Sequence, residues 1–460
     1  MALHLELSGL FGDAPLPTRA EGLAGLAAAA QVRQQHLESE PAWRRLHART
    51  DLLEACQRRA DEVRAAHAPE FFVVLGIGGS ALGNAAMTAA LAPVLQEWRP
   101  AAGAPRVFVL DNVDPDWLGE FCEAVPGDRM HFNVISKSGG TIETSAQFLL
   151  AWDHVRRAVG SDAEARARFT ITTDPAGGHF RALGERQGFA MLPVPPGVGG
   201  RFSVLSPVGL FTAAMGGFDP AALLAGAAKT DAKLRAAPPD QDPALLYALA
   251  HVLHMRQGRN VHVHFVYSHR ARLLGDWFQQ LWAESLGKRR DRAGRVVHVG
   301  PTPLAAIGPT DQHSQVQLYA EGPDDKVYTF LAVNDFARTV AVPPPFADSE
   351  AFTALRGRGF GELMHAERSG TELALAQAGR PWCRLELCRL DAAHVGAYFQ
   401  FFEVATALAG GLLGVDPYDQ PGVEAGKRNA LALMGAPGYE SLGAELLAAR
   451  ASGATWRVRC

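Results

Sequence analysis

Several shortages narrow the class of this 460-residue chain before any motif is considered. Cysteine is scarce: Cys56, Cys122, Cys383, Cys388 and Cys460 are scattered and form no C-x-x-C pair. An odd, sparse set in so long a chain excludes a disulfide framework and fits reduced thiols in a cytosol. An excess of one charge is lacking too. The formal net charge is −4, with both signs dispersed, so nucleic acid is not expected as a partner. Long apolar runs are absent; Val404 to Val415, the nearest, is too short for a bilayer and holds two consecutive glycines. The start, Met1-Ala-Leu-His-Leu-Glu-Leu, has neither the basic nor the apolar part of a signal peptide. A soluble cytoplasmic protein with no membrane partner is the expectation.

What is present is a large, core-forming composition, 48% hydrophobic and 20% charged, too long for one ordinary core. Residues 1–66 read as a helical N-terminal extension, rich in Ala, Leu, Glu, Gln and Arg and interrupted by Pro41. A first α/β domain is expected over 67–225, with strands near Phe71–Leu75, Arg106–Asp111, Phe132–Ile135 and Phe169–Thr172 alternating with helical segments. A second covers 226–390, with strands near 260–267, Arg295–Val299, Val327–Val333 and Arg384–Leu390. A helical segment follows over 391–460. Alternation of this kind predicts an α/β fold of parallel sheets covered on both faces.

Two small-residue turns each close an apolar run. The first is Leu75-Gly-Ile-Gly-Gly79-Ser80-Ala-Leu-Gly83; the second is Ile135-Ser136-Lys137-Ser138-Gly-Gly-Thr141-Ile-Glu143. Strand, tight turn and helix N-terminus leave free backbone N–H groups and a positive dipole end, which favour an anion. The first turn also fits the loose dinucleotide fingerprint, with Asp111 ending a later strand where a ribose-binding acid would sit. It is no P-loop, because the Gly-Lys-Ser/Thr ending is missing. The hydroxyl-rich second turn is not asked for by a dinucleotide fold. A monophosphate suits it.

Four polar segments carry the candidate chemistry. In Gly275-Asp-Trp277-Phe-Gln-Gln280-Leu281-Trp-Ala-Glu284-Ser-Leu-Gly287-Lys288, a helix ending at a glycine cap puts Glu284 on a stripe with Trp277 and Leu281, beside Gln280. A carboxylate there is desolvated, as suits a general base; the plainer alternative is a solvent pair with Lys288. Thr310-Asp-Gln-His313-Ser314 follows a turn and is expected to open a helix capped by Thr310 or Asp311, with His313 placed for proton transfer. A lone histidine is more often structural. Asp416-Pro-Tyr-Asp419-Gln420-Pro421-Gly-Val-Glu424-Ala-Gly-Lys427 reads as a loop entering a helix, and a solvated Lys427 is the commoner case. Gly199-Gly-Arg201-Phe-Ser203 sets an arginine between the two α/β blocks, suited to an oxyanion or phosphate, or to a domain-bridging ion pair. His262-Val-His264 has no neighbouring ligand to complete a metal site, so no metal is expected.

In this order, Gly-Gly-Arg201-Phe-Ser, Glu284-Ser-Leu-Gly-Lys, Asp-Gln-His313-Ser and Asp-Gln-Pro-Gly-Val-Glu424-Ala-Gly-Lys427 resemble the glucose-6-phosphate isomerase (phosphoglucose isomerase) family of compact bacterial type. The resemblance runs from Gly76 to Lys427. It implies two doubly wound parallel-sheet sugar-isomerase (SIS) domains with flanking N- and C-terminal helices. It also implies reversible isomerisation of glucose 6-phosphate and fructose 6-phosphate, in glycolysis and gluconeogenesis, with neither metal nor organic cofactor. By the family's pattern Gly79, Ser80, Ser136, Lys137, Ser138 and Thr141 hold the phosphate, Lys137 through its backbone. His313 and Lys427 open the ring, Glu284 shuttles the proton between C1 and C2, Arg201 stabilises the enediolate, and Gln280 and Gln420 line the pocket. The implied state is a homodimer with His313 contributed across the interface. Two other classes compete. A sugar-phosphate-binding regulator has no need for Glu284, His313, Lys427 and Arg201 together, and a nicotinamide-dependent dehydrogenase leaves the second turn unexplained.

Overall fold

The computed structural model of the chain describes residues 3–11, 20–137, 140–346 and 349–452. Its strands, in chain order, are β1 (Leu3–Glu6), β2 (Phe71–Leu75), β3 (Arg106–Leu110), β4 (Met130–Ile135), β5 (Phe169–Thr173), β6 (Ala190–Pro193), β7 (Val261–Tyr267), β8 (Lys288–Arg290), β9 (Val296–Val299), β10 (Thr302–Ile307), β11 (Lys326–Asp335) and β12 (Trp382–Arg389). One sheet has the order β3-β2-β4-β5-β6 and is parallel throughout. The other has the order β1-β12-β11-β7-β10, parallel except for β1, which runs antiparallel to β12. The two repeat one topology. In each, the first of the parallel strands (β2, β7) pairs with the second on one side and with the third on the other. Every residue of β4 and of β5 is buried, as a strand covered by helices on both faces requires.

Between the sheets lie the helices Pro207–Gly216, buried along its whole length, and Ala392–Leu412, buried from His394 to Gly410. A single apolar core runs from Phe72 and Val74 through Phe211 and Trp277 to Phe402, so both α/β units share one interior. The N-terminal helix Ala20–Ser39 and the 3-10 turn Ala42–Ala48 that follows it dock onto it through buried ion pairs. Arg33 Nε meets Asp242 at 2.7 Å, and Arg44 Nε meets Asp231 at 2.7 Å, with Arg235 Nε on the other Asp231 oxygen at 2.5 Å. Trp43 then packs on Phe202 and Tyr418, with ring centroids 4.9 and 6.5 Å away. The N-terminal extension thereby touches both segments that flank the site.

The structure corrects the strand reading in places. The run Arg295–Val299 contributes β9 to a small antiparallel hairpin with β8, outside the main sheet. The parallel strand beside β7 is instead β10, hidden from pattern reading by Pro303. That strand lies at a sheet edge, where a missing N–H removes no ladder bond. The strands β1 and β6 were not expected either: each is four residues long, and neither burial pattern alternates cleanly. Gly287 ends the helix Arg272–Leu286 in an extended conformation rather than the left-handed one. Room is what it needs, since a Cβ on it would stand 2.9 Å from the Ala283 carbonyl oxygen. No described helix is long and apolar enough to cross a membrane.

Candidate active site

The first small-residue turn connects β2 to the helix Leu82–Leu91 through a 3-10 turn, Gly78–Ser80. Gly78 adopts φ +57°, a left-handed conformation that glycine takes without strain. A Cβ on Gly79 would lie 2.5 Å from the Gly200 carbonyl carbon and 2.7 Å from the Arg201 nitrogen. Only a bare backbone allows this turn to close against the turn bearing Arg201. The second turn leaves β4, runs through Ser136 and Lys137, and enters the helix Ile142–Val159. Ser136 is buried, and its hydroxyl reaches the Thr141 Oγ1 at 3.4 Å. Thr141 precedes that helix with no side-chain cap bond, leaving the first-turn amides open to an anion. Ser138 lies outside the described residues.

Arg201 anchors the centre. Its Nη1 donates to Glu284 Oε2 at 2.6 Å and to Gln420 Oε1 at 3.1 Å, its Nε to Ser285 Oγ at 3.1 Å, and its Nη2 to the carbonyls of Pro417 and Asp419 at 3.0 and 3.1 Å. The guanidinium is thus held from five directions, its side chain 6% exposed. Gln280 Nε2 donates to the other Glu284 oxygen at 3.1 Å. Trp277 and Leu281 are buried as the helical stripe requires, whereas Glu284, with its side chain 34% exposed, sits at the rim of that stripe. The expectation of a desolvated Glu284 is therefore corrected: the carboxylate opens to solvent on one side and meets a buried cation on the other. Lys288 is not its partner. That ammonium is buried and bonds to the Asp419 carboxylate at 2.8 Å and to the Asp419 carbonyl.

Sequence reasoning missed Ser285, Lys288 and Asp419 as parts of this centre. Ser285 follows Glu284 directly, and Lys288 is the next charged residue along the chain, which were the available signals. The pairing of Lys288 with Asp419, more than a hundred residues away, was not readable.

His313 and Lys427 stand apart from the pair. His313 is exposed, in a 3-10 turn Thr310–His313 rather than in a capped α-helix. The next helix begins at Val316 with Gln315 as its N-cap, so neither Thr310 nor Asp311 caps it. Asp311 instead braces the turn, accepting from the Ile307 amide and from Ser314 Oγ, each at 2.7 Å. Burial favours its neutral form, yet these bonds hold its carboxyl below the usual range. Gln312 accepts from Tyr267 and donates to Glu367, at 3.2 and 3.0 Å. Lys427, in the helix Glu424–Leu433, is exposed and pairs with Glu424 at 2.8 Å. Among the described residues no hydrogen bond or ion pair joins His313 or Lys427 to Arg201 or Glu284. Within one chain the structure therefore assembles Gly79, Arg201, Gln280, Glu284 and Gln420, and brings Ser136 together with Thr141.

Small-residue turns at the carboxyl ends of parallel strands, with an arginine–carboxylate pair at the junction of two doubly wound sheets, are the features of an α/β enzyme. The phosphoglucose isomerase profile matches residues 57–441, and the chain belongs to that family. It is 43% identical over 405 residues to the glucose-6-phosphate isomerase of Rubrobacter xylanophilus, spanning 88% of this chain and 91% of the relative. It is 39% identical over 358 residues to that of Thermus thermophilus, spanning 78% and 82%. The crystal structure of a hypothetical protein from Thermus thermophilus superposes with a TM-score of 0.82 at 35% identity, covering 98% of this chain and 100% of the other. A glucose-6-phosphate isomerase from Chlamydia trachomatis gives a TM-score of 0.73 at 25% identity, covering 86% and 76%.

Proposed function

We propose that this chain interconverts glucose 6-phosphate and fructose 6-phosphate through an enediol(ate), serving glycolysis and gluconeogenesis in the cytoplasm. The observation that carries the reading is the 2.6 Å contact between Arg201 and Glu284. Isomerisation moves one proton between C1 and C2, so a single carboxylate serves as base and then as acid. Glu284 is that carboxylate. Gln280 fixes one of its oxygens, which leaves the group oriented toward the open side. The charge that develops on the sugar oxygens needs a cation that does not move as the charge appears. Arg201 suits this, because its five bonds hold it before the substrate arrives.

The phosphate is held by Ser80, Ser136, Lys137, Ser138 and Thr141, with Gly79 giving close backbone access, and supplies binding energy remote from the reacting carbons. Gln420 borders the sugar. His313 and Lys427 act on ring opening, and the active unit is a homodimer in which the partner's exposed turn brings His313 to this site. That arrangement accounts for a histidine turn braced by Asp311 and Gln312 yet exposed, with no bond to its own chain's carboxylate among the described residues. Neither metal nor organic cofactor is needed.

A coupled assay of fructose 6-phosphate conversion, run on the wild type and on Glu284→Gln, tests the reading. Wild-type turnover with a loss of about 10²–10⁴-fold in the variant is expected. An active Glu284→Gln enzyme would place the base elsewhere.

A further inference from the structure

Of the two groups proposed for ring opening, Lys427 sits on an α-helix and His313 on a single 3-10 turn, Thr310–His313. A turn of four residues has too few bonds of its own to fix a side chain. Asp311 ties it to the end of β10 and to Ser314, and both partners are local. Placement against the rest of the fold has to come from elsewhere.

Gln312 supplies it. The base is Tyr267, the last residue of β7, 1% exposed and packed on Phe265 and Phe330 with ring centroids 5.1 and 5.9 Å away. Gly308 lies directly on that ring, since a Cβ there would stand 2.4 Å from Tyr267 Cε1. The Tyr267 hydroxyl donates to Gln312 Oε1 at 3.2 Å, and Gln312 Nε2 donates to Glu367 Oε2 at 3.0 Å. Glu367 stands on the helix Phe360–Gln377, so one amide joins the strand end to that helix. The order of donors follows from chemistry. A carboxylate only accepts, so the amide NH2 must face Glu367 and its oxygen must face Tyr267. The phenol then has to donate. Burial first, and the Glu372 and Glu367 charges after it, push the Tyr267 hydroxyl up, outweighing a Thr371 hydrogen bond and the charge of Arg368. Its proton stays in place at neutral pH.

This relay sets where His313 points. Three residues complete a turn of 3-10 helix, so neighbouring side chains diverge by about 120°. A Gln312 held inward therefore turns His313 outward, and His313 is exposed. Beside the relay is a cavity of 380 Å³, lined by Gln312, Val316 and Glu367 together with Ala366, Gly370 and Ala374. Little side-chain packing stands behind the turn on that side. The hydrogen bond to Glu367, strengthened by the carboxylate charge, keeps the turn at its distance from the helix where close packing does not.

We propose that Glu367 and Tyr267 are positioning residues for His313, setting the direction of its imidazole through Gln312. The role rests on the proposed part of His313 in ring opening, and needs no contact of either residue with the substrate.

Steady-state kinetics of fructose 6-phosphate conversion by the full-length enzyme test it. Glu367→Leu and Tyr267→Phe are each expected to lower kcat about 10- to 100-fold and to leave KM within about twofold, as misplacing an intact group does. Glu367→Gln, whose carbonyl still accepts from Gln312, is expected to recover most of the loss. The cavity gives position 367 room and Tyr267→Phe removes a single oxygen, so the fold is expected to survive, which thermal melts check. Should Glu367→Leu melt early, Tyr267→Phe carries the same test. A double-variant cycle separates positioning from plain support. If Glu367 acts through His313, Glu367→Leu adds nothing to the loss already caused by His313→Ala; losses that multiply overturn the proposal. So does a wild-type kcat in Glu367→Leu or Tyr267→Phe, or a Glu367→Gln as slow as Glu367→Leu. A fully active His313→Ala overturns the ring-opening role of His313 and the proposal with it. A slow His313→Ala beside a fast Glu367→Leu overturns the positioning role alone.

Discussion

The Arg201–Glu284 centre and the pair formed by His313 and Lys427 differ in how the chain holds them. Arg201 is enclosed by Glu284, Ser285, Gln420 and two loop carbonyls. His313 and Lys427 are exposed, and Lys427 has only a surface glutamate for company. Groups that must present a fixed charge to a developing oxyanion are locked beforehand, because reorganising them during the reaction adds to the barrier. The contrast teaches that one chain builds the Arg201–Glu284 centre by itself, while His313 and Lys427 stay on its surface; on the proposed reading, the exposed half is completed by a second chain.

The sharpest way to break this comparison is to mix variants. Glu284→Gln and His313→Ala are each expected to lose at least about 10²-fold in turnover. Chains of the two variants, unfolded and refolded together, are expected to regain about a quarter of wild-type activity, since random pairing in a two-fold dimer gives half hybrids with one intact site each. No recovery on mixing would place His313 in its own chain's site.

Next in size is the scaffold behind the enclosed half. Asp231 is buried between Arg44 and Arg235, and although burial favours its neutral form, bonds from His47, Arg44 and Arg235 hold its carboxyl far below the usual range. Asp231→Asn leaves Arg44 buried without a counter-charge and is expected to cost about 3–5 kcal/mol, read from denaturant unfolding. Its effect on turnover at low temperature should be small, because the centre itself is intact. A smaller effect is expected at the latch between Lys288 and Asp419. Lys288→Met frees the loop bearing Gln420 and should lower kcat about 10- to 100-fold, as a misplacement of about 1 Å does. Lys288→Arg should recover part of it. Unchanged kcat in both would show that Arg201 alone holds the loop.

The smallest effect per group concerns acid stability. Burial pushes His36, His251 and His264 down to about 3 and His67 to about 4, and holds His131 and His262 well below the usual value. These folded-state values lie below the unfolded value near 6.5, so the unfolded chain binds more protons as pH falls. Stability is then complete above about pH 6.5 and declines below it, by up to about 1.4 kcal/mol per pH unit for each histidine. Thermal melts at pH 7, 6 and 5 check this; a Tm flat across that range contradicts the neutral-histidine core.

Much of the fold was legible because its inner strands are continuous apolar runs. Phe71–Leu75 was placed to the residue, and the run ending at Ile135 was missed only at its start. The edge strands β1, β6 and β10 were not legible, whereas β3, also at an edge, was. β10 carries Pro303 and β1 is a short half-exposed ribbon, and such strands owe their existence to the partner they pair with. In the site, Glu284, Gln280 and Arg201 were found through helical spacing and a flanking glycine pair. The alternative that pairs Lys288 with Glu284 fails, because the ammonium is taken by Asp419, which lies far along the chain.

The amino-acid sequence by itself determined the alternation of strands and helices, the two turns built from small residues, and the family to which the chain belongs. These are local matters: side-chain period, backbone freedom at glycine, and helix ends that favour anions. Tertiary structure alone decided which charges meet. Arg201 bonds to Glu284 rather than to the small-residue turns, and Lys288 serves a loop rather than its neighbour on the helix. Charge pairing is a long-range property, set by how two sheets pack around one shared core, and no spacing within a segment encodes it.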